Sequence, residues 1–160
     1  MKAAAVLMGL LLTTSGMSAA QAKICHSIEF PEHLQVRGSE LTLNGLGMRK
    51  ATFLKVNVYV AALYVTHPSH DPQPLMEPNS TAELILRFVR NVGVDDLRKA
   101  WGEGFEKAAK GQLPALEARI ATLSGWMSDM KKGQTLAFVR LPGGGVEVIV
   151  DGANSGTIHG

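Results

Sequence analysis

Hydrophobic positions along this chain change period twice. From Leu54 the even positions Leu54, Val56, Val58, Val60, Ala62 and Tyr64 are all apolar, and the odd ones, Phe53 to Val65, include Lys55, Asn57 and Tyr59. Side chains alternate across a strand, so this pattern predicts a long strand, or a pair broken near Ala61-Ala62. One face is for a core and the other is half wet. Upstream, "SIEFPEHLQV" and "SELTLNG" predict short strands in a hairpin turning at Gly38-Ser39. His67 to Ser80 is rich in Pro and turn formers and reads as a loop. "AELILRFVR" restores the strand period.

The period then lengthens. Leu97, Trp101, Phe105 and Ala108 share one helical face, with Asp95 or Asp96 as the cap and Gly111 as the end. Leu116, Ile120, Leu123, Met127 and Met130 predict a second helix. Pro114 sits in its first turn, Lys131 and Lys132 in its last, and Gly133 is its C-cap. "TLAFVRL" and "VEVIV" flank Pro142-Gly143-Gly144-Gly145 as a hairpin. "DGANSGTIHG" opens a turn and a further element. Segregated runs of strands and helices indicate an α+β fold, with helices packed on one face of an antiparallel sheet.

Composition narrows the function. The 160 residues suit one domain, and 46% apolar against 19% charged residues indicates a packed core. Net charge is +2 with no basic stripe, which argues against nucleic acid. Residues 1–22 read as a signal peptide: Lys2, an apolar run from Ala3 to Leu12, and a small-x-small ending at Ala22. The run is too short to span a bilayer, so the expectation is an exported, periplasmic domain, 23–160, with no stable membrane span. The residues before Cys25 do not form a lipidation box. This single cysteine is either a packed thiol, the favoured reading, or an intermolecular link.

Several motifs carry no chemistry. Gly45-x-Gly47 lacks the third glycine of a dinucleotide fingerprint and precedes a strand. Gly143 to Gly145 lies between strands and is not a phosphate loop. His67-x-x-His70 with Asp71 lies among prolines without a matching third ligand, so neither a metal nor a cofactor is expected. His26, His33 and His159 are isolated. Trp101 and Trp126 read first as core residues, with a pocket wall as the second reading. Arg49 divides evenly between a solvated turn arginine and a guanidinium aimed across the mixed strand face. In that second role it suits a carboxylate, phenolate or enolate oxygen, with Lys55, Asn57 and Tyr59 in support.

"LNGLGMRKATFLKVNVYVAALYV", with its Gly-x-Gly-x-Arg turn, Phe53, Lys55 and the strand Val58 to Val65, resembles the signature of the chalcone isomerase superfamily, especially its bacterial exported members. The resemblance implies an open-faced β-sandwich with helices layered on a large sheet. In the plant enzymes the arginine of this turn stabilises the charge developed as a phenolate closes onto an enone, and Arg49 inherits that position. Other members hold a fatty-acid carboxylate with an arginine and a tyrosine. Tyr59 stands where the plant enzymes have threonine, which favours this branch. The expected helix tyrosine is absent, Trp101 falls near the expected asparagine, and the final helix is missing or lies beyond Gly160.

The resulting expectation is an exported domain binding a small amphipathic anion, a fatty acid or aromatic acid. Its ligand residues would be Arg49, Tyr59, Asn57, Lys55 and Trp101. The alternative is an isomerase or intramolecular lyase acting on an enone, with Arg49 and Tyr59 catalytic. A non-catalytic scaffold ranks third.

Overall fold

A computed structural model describes residues 21–51, 55–109 and 111–160. The leader expected over residues 1–22 falls almost wholly outside them, as do Phe53 and Leu54. The chain runs β1 (Ala22–Cys25), β2 (Ile28–Pro31), β3 (His33–Val36), β4 (Ser39–Lys50), β5 (Asn57–Val65), α1 (Pro72–Leu75), β6 (Ala82–Phe88), α2 (Val94–Ala108), α3 (Leu113–Trp126), β7 (Thr135–Arg140), β8 (Val146–Val150) and β9 (Ala153–Ile158). Strands β3 to β9 form one antiparallel sheet in sequence order, and β1 pairs only with β2. This is the expected α+β architecture.

Both faces of the sheet are apolar. On one, Leu86, Phe88, Leu136 and Val148 pack against Leu97 of α2, Leu123 of α3, and Met127 and Met130 beyond it. On the other, Leu41, Leu43, Val60, Ala62 and Tyr64 form a second cluster closed by Phe30. Val60, Ala62 and Tyr64 of β5 therefore meet the β1–β2 side, while Tyr59 and Ala61, with Val58 beside the register shift, meet the helix side. The Tyr64 hydroxyl donates to the Pro31 carbonyl at 2.9 Å and ties the small hairpin down.

Several local expectations are corrected. Gly45 and Gly47 are no turn; they lie inside β4, paired with Leu63 and Ala61. The reversal comes after Lys50, where the Ala51 amide donates to the Val56 carbonyl at 2.8 Å. So the apolar stretch is a hairpin whose strands end at Lys50 and resume at Asn57, and β5 runs unbroken through Ala61-Ala62. The β3–β4 turn is Arg37-Gly38, both at positive φ, between paired Val36 and Ser39. That is the type I′ geometry whose twist matches the flanking strands. Asp151-Gly152 repeats it, and the C-terminal stretch is β9, at the edge of the sheet. The loop from His67 to Ser80 holds one helical turn, α1, capped by Asp71.

The helices differ in detail. α2 begins at Val94 behind Gly93, and its Asp residues occupy the first turn without capping it. The Val94 amide instead donates to Asp129 Oδ1 at 2.8 Å, from the segment after α3. α3 ends at Trp126, before the lysines; Met130 continues in extended form and pairs with Val92. Trp126 lies over Gly156 of β9, where an added Cβ would come within 2.5 Å of the ring. That glycine is what allows α3 to close on the sheet edge.

A transverse row on the β1–β2 side runs Leu43, Tyr64, Glu83, Val139, Glu147. Two carboxyls are buried there, Glu83 at 9% exposure and Glu147 at 2%. Arg37 donates to both oxygens of Glu147, through Nε at 3.0 Å and through its terminal nitrogen, and Asn154 donates as well. The turn before β4 is thereby clasped to β8. Burial, and then the charge of Glu147, raise the Glu83 carboxyl above the ordinary carboxylate range. Burial, and then Glu83, push Tyr64 up to about 12.

Two outcomes follow from this row. Glu147 is buried but the Arg37 guanidinium is 57% exposed and Asn154 remains as a donor, so Arg37→Met should destabilise by about 1–2 kcal/mol in chemical denaturation. Because Glu83 is raised in the fold, its proton is retained there and lost earlier in the unfolded chain. Stability at this group therefore falls as pH rises from the ordinary carboxylate range through the folded value. Glu83→Gln should raise the melting temperature at pH 7, and the gain should vanish as pH drops below that window.

Candidate functional site

The odd face of β5 is where the helices fail to close on the sheet. Leu97 is fully buried in α2, but Trp101 and Phe105, one and two turns later, are only half buried. Between this helix and the ends of β4, β5 and β6 lies an open cavity of about 730 Å³. That is within the range of small-ligand pockets. On the sheet side it is lined by Arg49 and Ala51, by Val58 and Tyr59, and by Arg90 to Val92. The α2 wall presents Leu97, Ala100, Trp101 and Phe105 toward the interior. Asp96, Lys99 and Glu103 also line it.

Register sets the polar end. Arg49 of β4 is the direct cross-strand partner of Tyr59, and Tyr59 is in turn paired with Phe88 of β6. Directly opposed residues project from the same face with their Cβ atoms about 5 Å apart. The Tyr59 ring meets Phe88 edge-on at 5.6 Å. Trp101 packs on Phe138 at 5.0 Å and on Phe105 at 6.0 Å, which fixes the indole as a wall. Burial raises the Tyr59 hydroxyl, and the nearby Arg49 charge partly offsets that rise. At neutral pH the pair thus offers a neutral O–H donor beside a guanidinium. Among the described residues, neither Arg49 nor Arg90 has a carboxylate at salt-bridge distance.

Of the residues singled out in the sequence, Arg49, Tyr59 and Trp101 line one cavity. Two do not. Lys55 stands exposed in the β4–β5 turn at φ 49°, and Asn57 begins β5 opposite Lys50. Neither borders the cavity: Lys55 precedes β5, and Asn57 stands at its very start. Arg90, Phe105 and Gly104 were missed. Phe105 carried a signal, since it shares the helical face of Trp101. Arg90 carried only its alternation with Phe88. Among the described residues no cluster of His, Cys, Asp or Glu is suited to a metal, and no helix is long and apolar enough to cross a membrane.

A family model described as chalcone isomerase-like matches residues 22–160. The chain belongs to the chalcone isomerase-like family. Among solved structures, it is similar to a fatty-acid-binding protein of Arabidopsis thaliana. The TM-score is 0.69 at 17% identity, over 88% of this chain and 83% of that one. At that identity the likeness establishes the fold. No curated protein is similar enough in sequence to be matched.

The cavity of this chalcone isomerase-like domain owes part of its volume to Gly104. Glycine inside a helix costs about 1 kcal/mol relative to alanine, yet α2 carries it on the cavity side, with open space where a Cβ would stand. Gly104→Leu should fill that space. The expected result is an unchanged or higher melting temperature together with at least a tenfold loss of ligand affinity, on the order of the 1.4 kcal/mol that defines a decade.

Proposed function

We propose that this domain binds a small amphipathic anion, a fatty acid or aromatic acid. The carboxylate is held by Arg49 and Tyr59, and the apolar part lies along Trp101, Phe105 and Val58. The observation that carries this reading is the cross-strand pairing of Arg49 with Tyr59 in the lining of a cavity whose other walls are largely apolar. A guanidinium and a protonated phenol are complementary to a carboxylate, and the neighbouring low dielectric strengthens both contacts. The fatty-acid-binding protein with the same fold supports the ligand class. The same two donors also suit an enolate, so conversion of an enone by an isomerase or intramolecular lyase is the second reading. Export to the periplasm, carried by residues 1–22, belongs to the proposal. N-terminal sequencing of the mature protein tests it.

Mass spectrometry of a solvent extract of the purified protein should recover fatty acids. Absorbance loss on adding a chalcone would favour the enzyme instead. Losing one charge-assisted contact costs roughly 1.5–3 kcal/mol, so Arg49→Gln should weaken fatty-acid binding by about 10- to 100-fold in titration calorimetry. A variant that binds as the wild type does would sink both readings.

A further inference from the structure

Two arginines, not one, reach this cavity, and they come from opposite sides of Tyr59. Arg49 lies directly across from Tyr59 on β4. On the other flank Phe88 of β6 is the partner of Tyr59, and Arg90 follows two residues later. Strand β6 ends at Phe88, and Arg90, in the bend that follows, lines the cavity on the helix side. The two flanking strands are two strand spacings apart, roughly 10 Å. Both arms therefore start from the same end of the sheet, one on either side of β5.

Arginines elsewhere in the fold are committed. Arg37 holds Glu147, Arg98 donates to the Ser124 carbonyl, and Arg140 donates to Ser80 and to the Leu75 carbonyl. Among the described residues, Arg49 and Arg90 have no such partner. Arg87 and Arg119 also lack one, but neither borders the cavity. The pair thus adds two guanidinium groups without carboxylate partners to the lining of one largely apolar cavity. A single carboxylate neutralises one of them.

We infer that Arg90 is a specificity-determining residue, which with Arg49 and Tyr59 selects an amphiphile whose head carries two negative charges, such as a phosphate monoester. This rests on the amphipathic-anion reading above and narrows its ligand class. A tetrahedral phosphate offers three oxygens to donors approaching from three directions, where a carboxylate offers two in one plane. Asp96 and Glu103 on the α2 wall oppose an anion placed toward the helix, and Lys99 between them offsets this. The head is thereby confined to the strand ends.

Calorimetric titration of the purified, lipid-stripped protein with lauric acid, dodecyl phosphate and inorganic phosphate tests the inference. At pH 7.5 dodecyl phosphate should bind about tenfold more tightly than laurate. That advantage should shrink at pH 5.5, below the second phosphate ionisation near pH 6. Arg90→Gln should cost dodecyl phosphate about 10- to 100-fold and laurate about threefold at most. Inorganic phosphate should compete poorly, having no chain to bury. Equal losses for the two amphiphiles in Arg90→Gln, or none, would overturn the role of Arg90. Inorganic phosphate binding as tightly as dodecyl phosphate would do the same, by showing a free-anion site. If Arg49→Gln abolishes laurate binding while Arg90→Gln leaves the ligand ratio unchanged, the amphipathic-anion reading stands alone. If neither amphiphile binds the wild type, both fall.

Discussion

The register of β4 against β5 is the constraint on which the site depends. It sets Arg49 opposite Tyr59, and it does so through two irregularities, one between Leu43 and Gly45 and one between Arg49 and Lys50. A slip of one residue moves every side chain of a strand to the other face of the sheet. Such a slip in β4 would send Arg49 into the cluster around Val60 and Ala62, where an unpaired guanidinium has no compensating charge. It would also turn Leu41 and Leu43, both fully buried, toward the helices. Core and site are therefore specified by the same alternation. The bulge that leaves Asn44 unpaired is anchored in turn: its side chain accepts from the Ser69 amide at 2.7 Å.

The two faces of the sheet divide the work. On the side of β1 and β2, apolar packing is completed by the Arg37 clasp on Glu147, which joins residues 110 positions apart. The aligned carboxyl of Glu83 makes that side electrostatically tense. On the helix side, packing is tight at α3, where Trp126 lies on Gly156, and loose at α2 beyond Leu97. An open cavity is tolerated there because the rest of the sheet does not depend on α2 for closure. The start of α2 is held by Asp129, and its middle reaches the sheet through Trp101 on Phe138.

Fold class was legible because it rests on period: two for the strands, near four for Leu97, Trp101 and Phe105. Arg49 and Tyr59 were legible because a polar pair on an otherwise greasy hairpin has few structural reasons to exist. What escaped depended on where the chain reverses. Placing the turn at Gly45-Gly47 hid the fact that Arg49 belongs to a strand, and it brought Lys55 and Asn57 onto the site when the real reversal carries them off it. The end of α3 escaped because Met127 and Met130 continue a helical spacing although their burial comes from an extended segment paired with Val92. Arg37 and Glu147 were illegible in principle, since no local pattern links a turn residue to a strand 110 residues away.

Arg90 shows how a site residue can hide in a strand pattern. In "AELILRFVR" its charge reads as the ordinary polar end of a strand, and its neighbour Arg87, two positions before Val89, points to the opposite face. Position beyond the strand distinguishes them: β6 ends at Phe88, opposite Tyr59, and Arg90 stands in the bend that follows, where it lines the cavity. Arg90 adds a second guanidinium from just past the end of β6, on the far side of β5 from Arg49. Arg49 and Tyr59 themselves stand directly opposite each other on paired strands, so for these two donors the backbone is fixed before any ligand arrives and little ordering entropy is left to oppose binding.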